Sequence, residues 1–349
     1  MLYQQLGRTG LFVSRLAFGT STFGGSQHPL YKVIGGLDQR AADRIVAVAL
    51  DAGVNLFDTA DIYAEGESEA MLAKALAGRR NDVLIATKAG NRSGAGPNDV
   101  GHSRVHLTAA IEASLRRLAT GHVDLLQLHA FDPLAPFEET VRTLDDLVRS
   151  GKVRYVGVSN FSAWQVIKMQ AAAVALGCER LVSVQAYYSV VGRDIEREIV
   201  PATISEGLGL LTWCPLAGGL LTGKYTRSRR PADASRRLHF DFPPVNMDRA
   251  YDVIDVLERI AAGRGATVAQ VALAWQFRQP GVTSAIVGAR DAAQLAENVK
   301  AVGLELSDED LAQIDAVSRL APEYPAWYHN LPLGRRPGEQ RGIGRAAKK

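Results

Sequence analysis

The sequence predicts an α/β protein: a closed (β/α)8 TIM barrel with a short N-terminal β-hairpin and long loops after the third and seventh barrel strands. Three observations lead there. Short apolar runs alternate eight times with amphipathic segments. The runs are near-continuous in Leu and β-branched residues, as strands buried on both faces must be. Several of the intervening segments close on Gly, a normal helix stop. Eight strand–helix units in strict alternation argue for a closed barrel, with an open doubly wound sheet as the runner-up.

The elements follow in order. A hairpin pattern opens the chain: YQQL, a GRTG turn, then LFV. Barrel strands are read at 15–19, 54–58, 83–87, 123–129, 155–159, 181–185, 208–213 and 284–287. Helical patterns lie between them, among them AADRIVAVALDAG, SEAMLAKALAG, LTAAIEASLRRLA, FEETVRTLDDLVRSG, SAWQVIKMQAAAVALG and DIEREIVPATISEGLG. Three stretches break the rhythm. Residues 90–104 are rich in Gly, Asn and Ser, 217–246 contain SRRPADASRR and DFPP, and 320–349 hold PEYPAWYHNLP before a basic tail. The first two follow the third and seventh strands, on the face where strand C-termini emerge and long loops shape sites. No inter-domain linker stands out, so residues 1–330 are read as one domain and 331–349 as a flexible basic tail.

Composition narrows the function classes. With 349 residues, 47% hydrophobic and 22% charged, the chain can bury a large core. Two cysteines far apart, Cys178 and Cys214, imply no disulfide framework and suit a reducing compartment. The start, MLYQQLGRTGLFVSR, lacks a signal pattern, and no apolar stretch is long enough to span a bilayer. A cytoplasmic protein without membrane partner is expected. The net charge of +3 belongs to the tail: its last sixteen residues hold six basic residues and one acidic, leaving 34 basic and 36 acidic elsewhere. A solvated terminus explains this more simply than a nucleic-acid contact. No interface signature indicates an oligomeric partner.

Common site motifs are missing. No G-x-G-x-x-G follows a strand, and the similar GIGRAA at 342–347 has no strand before it. There is no Walker loop, C-x-x-C or H-E-x-x-H, and no metal is expected. His102 and His106 read as ordinary loop and helix-start residues.

Four polar residues carry the chemistry. Asp58, Tyr63, Lys88 and His129 sit at or just past the ends of three consecutive strands, in VNLFDTADIY, VLIATK and DLLQLH. Neighbouring barrel strands lie ~4.8 Å apart, so the four side chains can meet at one mouth. Any one of them fits a locally satisfied strand end; four in succession fit that poorly. A phenol titrates near ~10 and a nearby ammonium lowers that value. Asp58 would hold Lys88 charged, and His129 would donate to a carbonyl oxygen. The set suits protonation of an oxygen while a hydride arrives at carbon, and the hydride must come from a cofactor.

The sequence resembles the aldo-keto reductase superfamily over about residues 1–320. DTADIY, IATK and LLQLH look like its active-site segments. GKVRYVGVSNF, VQAYYS, PLAGGLLTGKY and IVGARDAAQLAENV look like its cofactor segments. The resemblance implies NADP(H) as cofactor and a small carbonyl or alcohol as substrate. It makes Tyr63 the proton donor, Lys88 and Asp58 its tuning pair, and His129 the group that positions the carbonyl. Ser159, Asn160 and Gln185 would hold the nicotinamide carboxamide, near Asp58, and Trp213 would stack on the ring. Family members often have Tyr at that position. Pro215, Leu216, Gly218, Leu221 and Lys224 would line the pyrophosphate track, and Gly19 and Thr20 the ribose. Gly288 and Arg290 end the last strand, and the helix opening there favours an anion at its N-terminus. Arg290 would meet a 2′-phosphate, with Gln294, Glu297 and Asn298 near the adenine. Relatives often carry Ser where this chain has Ala289. Phe23, Phe131, Tyr187, Trp327 and Tyr328 are candidates for an aromatic substrate pocket, simple packing being the rival reading for the last two.

Three rival functions are compatible with parts of this pattern. A metal-dependent barrel hydrolase would want a His-x-His on the first strand, and RLAFGTST has none. A Schiff-base aldolase could use Lys88 but leaves the cofactor segments without purpose. A cofactor-binding sensor, like the barrel subunits associated with ion channels, uses the same residues without turnover.

Overall fold

Among the described residues of the computed structural model, 1–229, 236–329 and 331, two strands form a hairpin and eight close a barrel. The hairpin pairs β1 (Tyr3–Gln5) with β2 (Phe12–Ser14). The barrel strands are β3 (Leu16–Gly19), β4 (Leu56–Asp58), β5 (Leu84–Ala89), β6 (Val123–Leu128), β7 (Val153–Ser159), β8 (Ser183–Tyr187), β9 (Gly209–Trp213) and β10 (Val282–Val287). All pairings around the barrel are parallel, and β10 closes on β3. The closed order excludes the open sheet. The expected basic tail lies outside the described residues from 332 onward.

The helices are α1 (Pro29–Ile34), α2 (Gln39–Asp51), α3 (Glu67–Ala75), α4 (Arg104–Arg117), α5 (Phe137–Arg149), α6 (Ala163–Leu176), α7 (Ile199–Glu206), α8 (Arg236–His239), α9 (Met247–Arg264), α10 (Val268–Phe277), α11 (Ala292–Val299), α12 (Asp308–Ser318) and α13 (Ala326–His329). Local chemistry sets many of their ends. Ser162 and Gln165 form a reciprocal cap that starts α6, and Gly177 stops it at φ 63°. Thr267 with Gln270 starts α10 in the same way. The helix expected from DIEREIVP begins later than its pattern, at Ile199, after a single 3-10 turn at Asp194–Glu196. Pro201 then falls in the first turn, where a missing N–H costs nothing.

The hairpin explains which end of the barrel is open. Leu6 and Val13 are fully buried and pack with Ala17, Leu56, Ala86, Leu125, Leu211 and Ile286 of the barrel strands. Arg15 donates to the carbonyls of Val282 and Thr283 at the start of β10. The hairpin thus closes the N-terminal end, and the C-terminal ends of the strands face an open mouth. The described residues of the two predicted long loops, 90–104 and 217–246, follow β5 and β9 on that face. The second carries α8. No described helix is long and apolar enough to cross a membrane.

Candidate active site

Strand register brings the four strand-end residues together. Gly19 pairs with Asp58, Asp58 with Ala86, and Lys88 with Gln127. The backbone then turns Tyr63 toward Lys88 through a kinked stretch, Ala64 and Glu65 both holding left-handed φ. Lys88 Nζ donates to Asp58 Oδ1 at 2.5 Å, to the Thr59 carbonyl at 2.8 Å and to Tyr63 Oη at 3.4 Å. Three acceptors use all three ammonium hydrogens. The other Asp58 oxygen accepts from Gln185 at 2.8 Å and Gln127 at 3.3 Å. His129 meets Tyr63 edge to face, centroids 5.8 Å apart.

The charges settle in an order that burial and pairing explain. Burial alone would lower Lys88, but the Asp58 carboxylate and the Tyr63 oxygen outweigh it and hold the ammonium above its ordinary value. Burial pushes the Tyr63 phenol up, with Lys88 pulling against it. Lys88 does pull the phenol down, as expected from the sequence, but desolvation of the phenolate outweighs the ammonium and sets the net direction. Burial, and then the charge of Lys88, hold His129 down at about 3, so its ring is neutral near neutral pH. Its Nδ1 is buried without a protein partner.

A cavity of about 410 Å³ opens over this group. Asp58, Tyr63 and His129 line it; Lys88 stands behind Tyr63, fully buried. Twelve of the sequence-derived cofactor residues also reach the cavity wall: Gly19, Ser159, Asn160, Gln185, Trp213, Pro215, Leu216, Gly218, Lys224, Gly288, Arg290 and Gln294. Gly218 needs its missing side chain, because at φ 67° a Cβ would stand 2.4 Å from the Phe242 carbonyl oxygen. Four others fall short of the wall. Thr20 is fully buried on Ser68, and Leu221 is in the core. Glu297 pairs with Lys300, and Asn298 is buried at the inner face of α11. The anion attraction expected of the α11 N-terminus is also reduced, since Asp291 already caps it by accepting from Gln294 N.

The aromatic pocket expected from sequence is drawn from other residues. Phe23 is fully buried against Phe18 in the core. Phe131 packs on Phe137, Phe161 and Trp164, away from the cavity wall. Tyr187 backs Trp213 with centroids 5.2 Å apart. Trp327 and Tyr328 stack edge to face on each other in α13, half exposed. Leu30, Tyr31 and Ile34 of α1 line the cavity instead, with Arg236, Phe240 and Phe242 from the loop after β9 and Cys214 beside Trp213. Phe242 stacks parallel to Trp213 at 5.7 Å. The long loop marked the second group in the sequence. Nothing but a Pro at a helix start marked the first.

His102 is held neutral by burial, down at about 4, and stacks on Phe161. His106 lies in the first turn of α4, where Ser103 caps its backbone N–H. Neither belongs to the cavity wall.

Residues 15–319 match the Aldo/keto reductase family. The chain belongs to the aldo-keto reductase family. One relative of this aldo-keto reductase is a probable voltage-gated potassium channel subunit beta of Arabidopsis thaliana, 37% identical over 337 residues, 94% of this chain and 100% of that one. An uncharacterized oxidoreductase of Bacillus subtilis is 37% identical over 343 residues, again 94% and 100%. A versiconal hemiacetal acetate reductase of Aspergillus parasiticus is 33% identical over 338 residues, 90% of this chain and 96% of its own.

Proposed function

We propose that this protein is an NADP(H)-dependent oxidoreductase that interconverts an aldehyde or ketone with its alcohol, Tyr63 being the proton donor. The observation that carries this is the chain Asp58–Lys88–Tyr63, buried and hydrogen-bonded, ending in a phenol on the wall of a deep cavity. Oxidoreductase relatives support the reaction class.

The residues present suit a nicotinamide dinucleotide. Among the described residues, three cations, Lys224, Arg236 and Arg290, line the cavity, and the one lining carboxylate, Asp58, is paired with Lys88. Ser159 Oγ is buried on the same wall without a protein partner, as a group awaiting a polar ligand would be. Bound NADP(H) supplies the hydride that side chains cannot.

The protein's own part is proton delivery. Neutral His129 holds the carbonyl oxygen beside Tyr63 Oη without competing as an acid. Tyr63 gives its proton to that oxygen as negative charge develops. A phenol is intrinsically a stronger acid than an alcohol, which favours transfer to an alkoxide. The phenolate left behind faces Lys88 Nζ, which Asp58 keeps charged and fixed.

One second reading has an observation behind it. Relatives named as potassium channel subunits suggest a protein that binds the cofactor chiefly as a sensor. A single experiment separates the two: NADPH oxidation over a panel of aldehydes and ketones, with Tyr63→Phe beside the wild type. Turnover that falls by at least about a thousandfold in Tyr63→Phe, with cofactor affinity within about threefold, supports the enzyme. Turnover that survives the substitution refutes the acid assignment. Tight NADPH binding without turnover by the wild type favours the sensor.

A further inference from the structure

Two side chains of the mouth are bonded to each other in a way the roles above leave unused. Trp213, ending β9, donates its indole Nε1–H to Asn160 Oδ1 at 3.1 Å. Asn160, just past β7, donates through Nδ2 to the His129 carbonyl at 2.8 Å. The ends of β6, β7 and β9 are thereby linked across the cavity. Asn160 is exposed, yet its backbone is fixed: φ is 59°, and its N–H donates to the Gln185 carbonyl at 3.1 Å.

The chemistry of the amide gives this link a purpose. An exposed Asn can present either end, since its oxygen and nitrogen differ little in size. An indole N–H only donates and the His129 carbonyl only accepts, so the two together select the state with Oδ1 toward Trp213 and Nδ2 toward His129. One lone pair and one N–H of Asn160 then remain, on a residue that lines the cavity. Those two groups match the N–H and C=O of a carboxamide. A phenyl or phenol ring at position 213 could stack as well as indole, but a phenyl ring removes one of the two anchors and leaves Asn160 held by the His129 carbonyl alone.

We infer that Trp213 is a positioning residue for the nicotinamide carboxamide, acting through its hydrogen bond to Asn160 in addition to any stacking. This rests on the NADP(H) reading above.

The test is a double-mutant cycle read by equilibrium binding, with no need for turnover. Calorimetry gives Kd for NADPH and for 2′-phospho-ADP-ribose, which lacks the nicotinamide. The proteins are wild type, Trp213→Phe, Asn160→Gly and the double variant. Phe keeps an aromatic face and removes the N–H; Gly tolerates the left-handed backbone at 160. Trp213→Phe is expected to weaken NADPH about 3- to 10-fold, the value of one hydrogen bond, and to leave 2′-phospho-ADP-ribose within about twofold. In the Asn160→Gly background the same change is expected to cost nothing further. Equal losses in both backgrounds would mean that Trp213 acts by stacking alone and would overturn the inference. Equal losses for both ligands would mean general damage to the site and would overturn it too. Absence of NADPH binding by the wild type would overturn the cofactor reading itself, and this inference with it.

Discussion

Lys88 carries a charge deep inside the protein. It is 1% exposed, yet three acceptors and the Asp58 charge keep it protonated. Removing one member of such a buried pair leaves the other uncompensated, so this pair is poorly suited to a clean test of cofactor choice. Arg290 suits it better, standing on the cavity wall at the end of β10. If it meets a 2′-phosphate, Arg290→Ala should lower kcat/KM with NADPH by about 10- to 100-fold, the value of a hydrogen bond to a charged group. The value with NADH should change little. Ala289 offers no hydroxyl to share the load, so the effect should be concentrated in Arg290. Equal values of kcat/KM for the two cofactors in the wild type would refute a phosphate role for Arg290.

At the scale of elements, the loop after β9 contributes much of the wall, and one buried arginine holds it there. Arg237 in α8 is 7% exposed. It donates to the Ala217 carbonyl at 3.0 Å and the Pro243 carbonyl at 2.9 Å, and pairs with Asp241. These bonds fix the stretch that carries Arg236, Phe240 and Phe242 against the cavity. Arg237→Met should therefore weaken NADPH binding about tenfold, chiefly by faster release in stopped-flow fluorescence. The barrel should melt within a few degrees of wild type. A large loss of thermal stability with unchanged release would show that Arg237 braces the fold instead. Such a contact also marks the limit of sequence reading. The strands and the four strand-end residues were legible because each is a local pattern, an apolar run closing on a polar group. Arg237 sits in SRRPADASRR, where nothing local separates it from its neighbours. Phe23 misled for the opposite reason: an aromatic just past a strand end looks like a pocket wall, and only packing against Phe18 reveals a core residue. The kink that aims Tyr63 was likewise hidden, since Ala64 and Glu65 are not residues that announce left-handed backbone.

At the scale of the whole molecule, a buried carboxyl behind the site ties folding to pH. Asp61 is 5% exposed, and both of its side-chain oxygens are buried without a hydrogen-bond partner. Burial, and then the neighbouring Glu69 carboxylate, push it up to about 7, against the opposing pull of Arg117, the Ile62 backbone N–H and Lys88. Glu69 itself is held by Thr87 Oγ1 and Arg117, so Asp61 is the member with the weaker set of partners. The folded protein keeps the Asp61 proton to about pH 7, whereas the unfolded chain releases it near its ordinary 3.8. Between those values the folded state binds more protons than the unfolded state. Stability from this group is therefore fully present at low pH and falls as pH rises through the window. Asp61→Asn removes the titration while keeping the shape. Urea unfolding at pH 5 and pH 8 should show the variant gaining on the wild type as pH rises, by an amount on the order of 1–3 kcal/mol. Groups that titrate alike in both proteins cancel in that difference. A difference independent of pH would mean that Asp61 is ionised in the folded protein across this range, and that Arg117 and Lys88 together outweigh its burial.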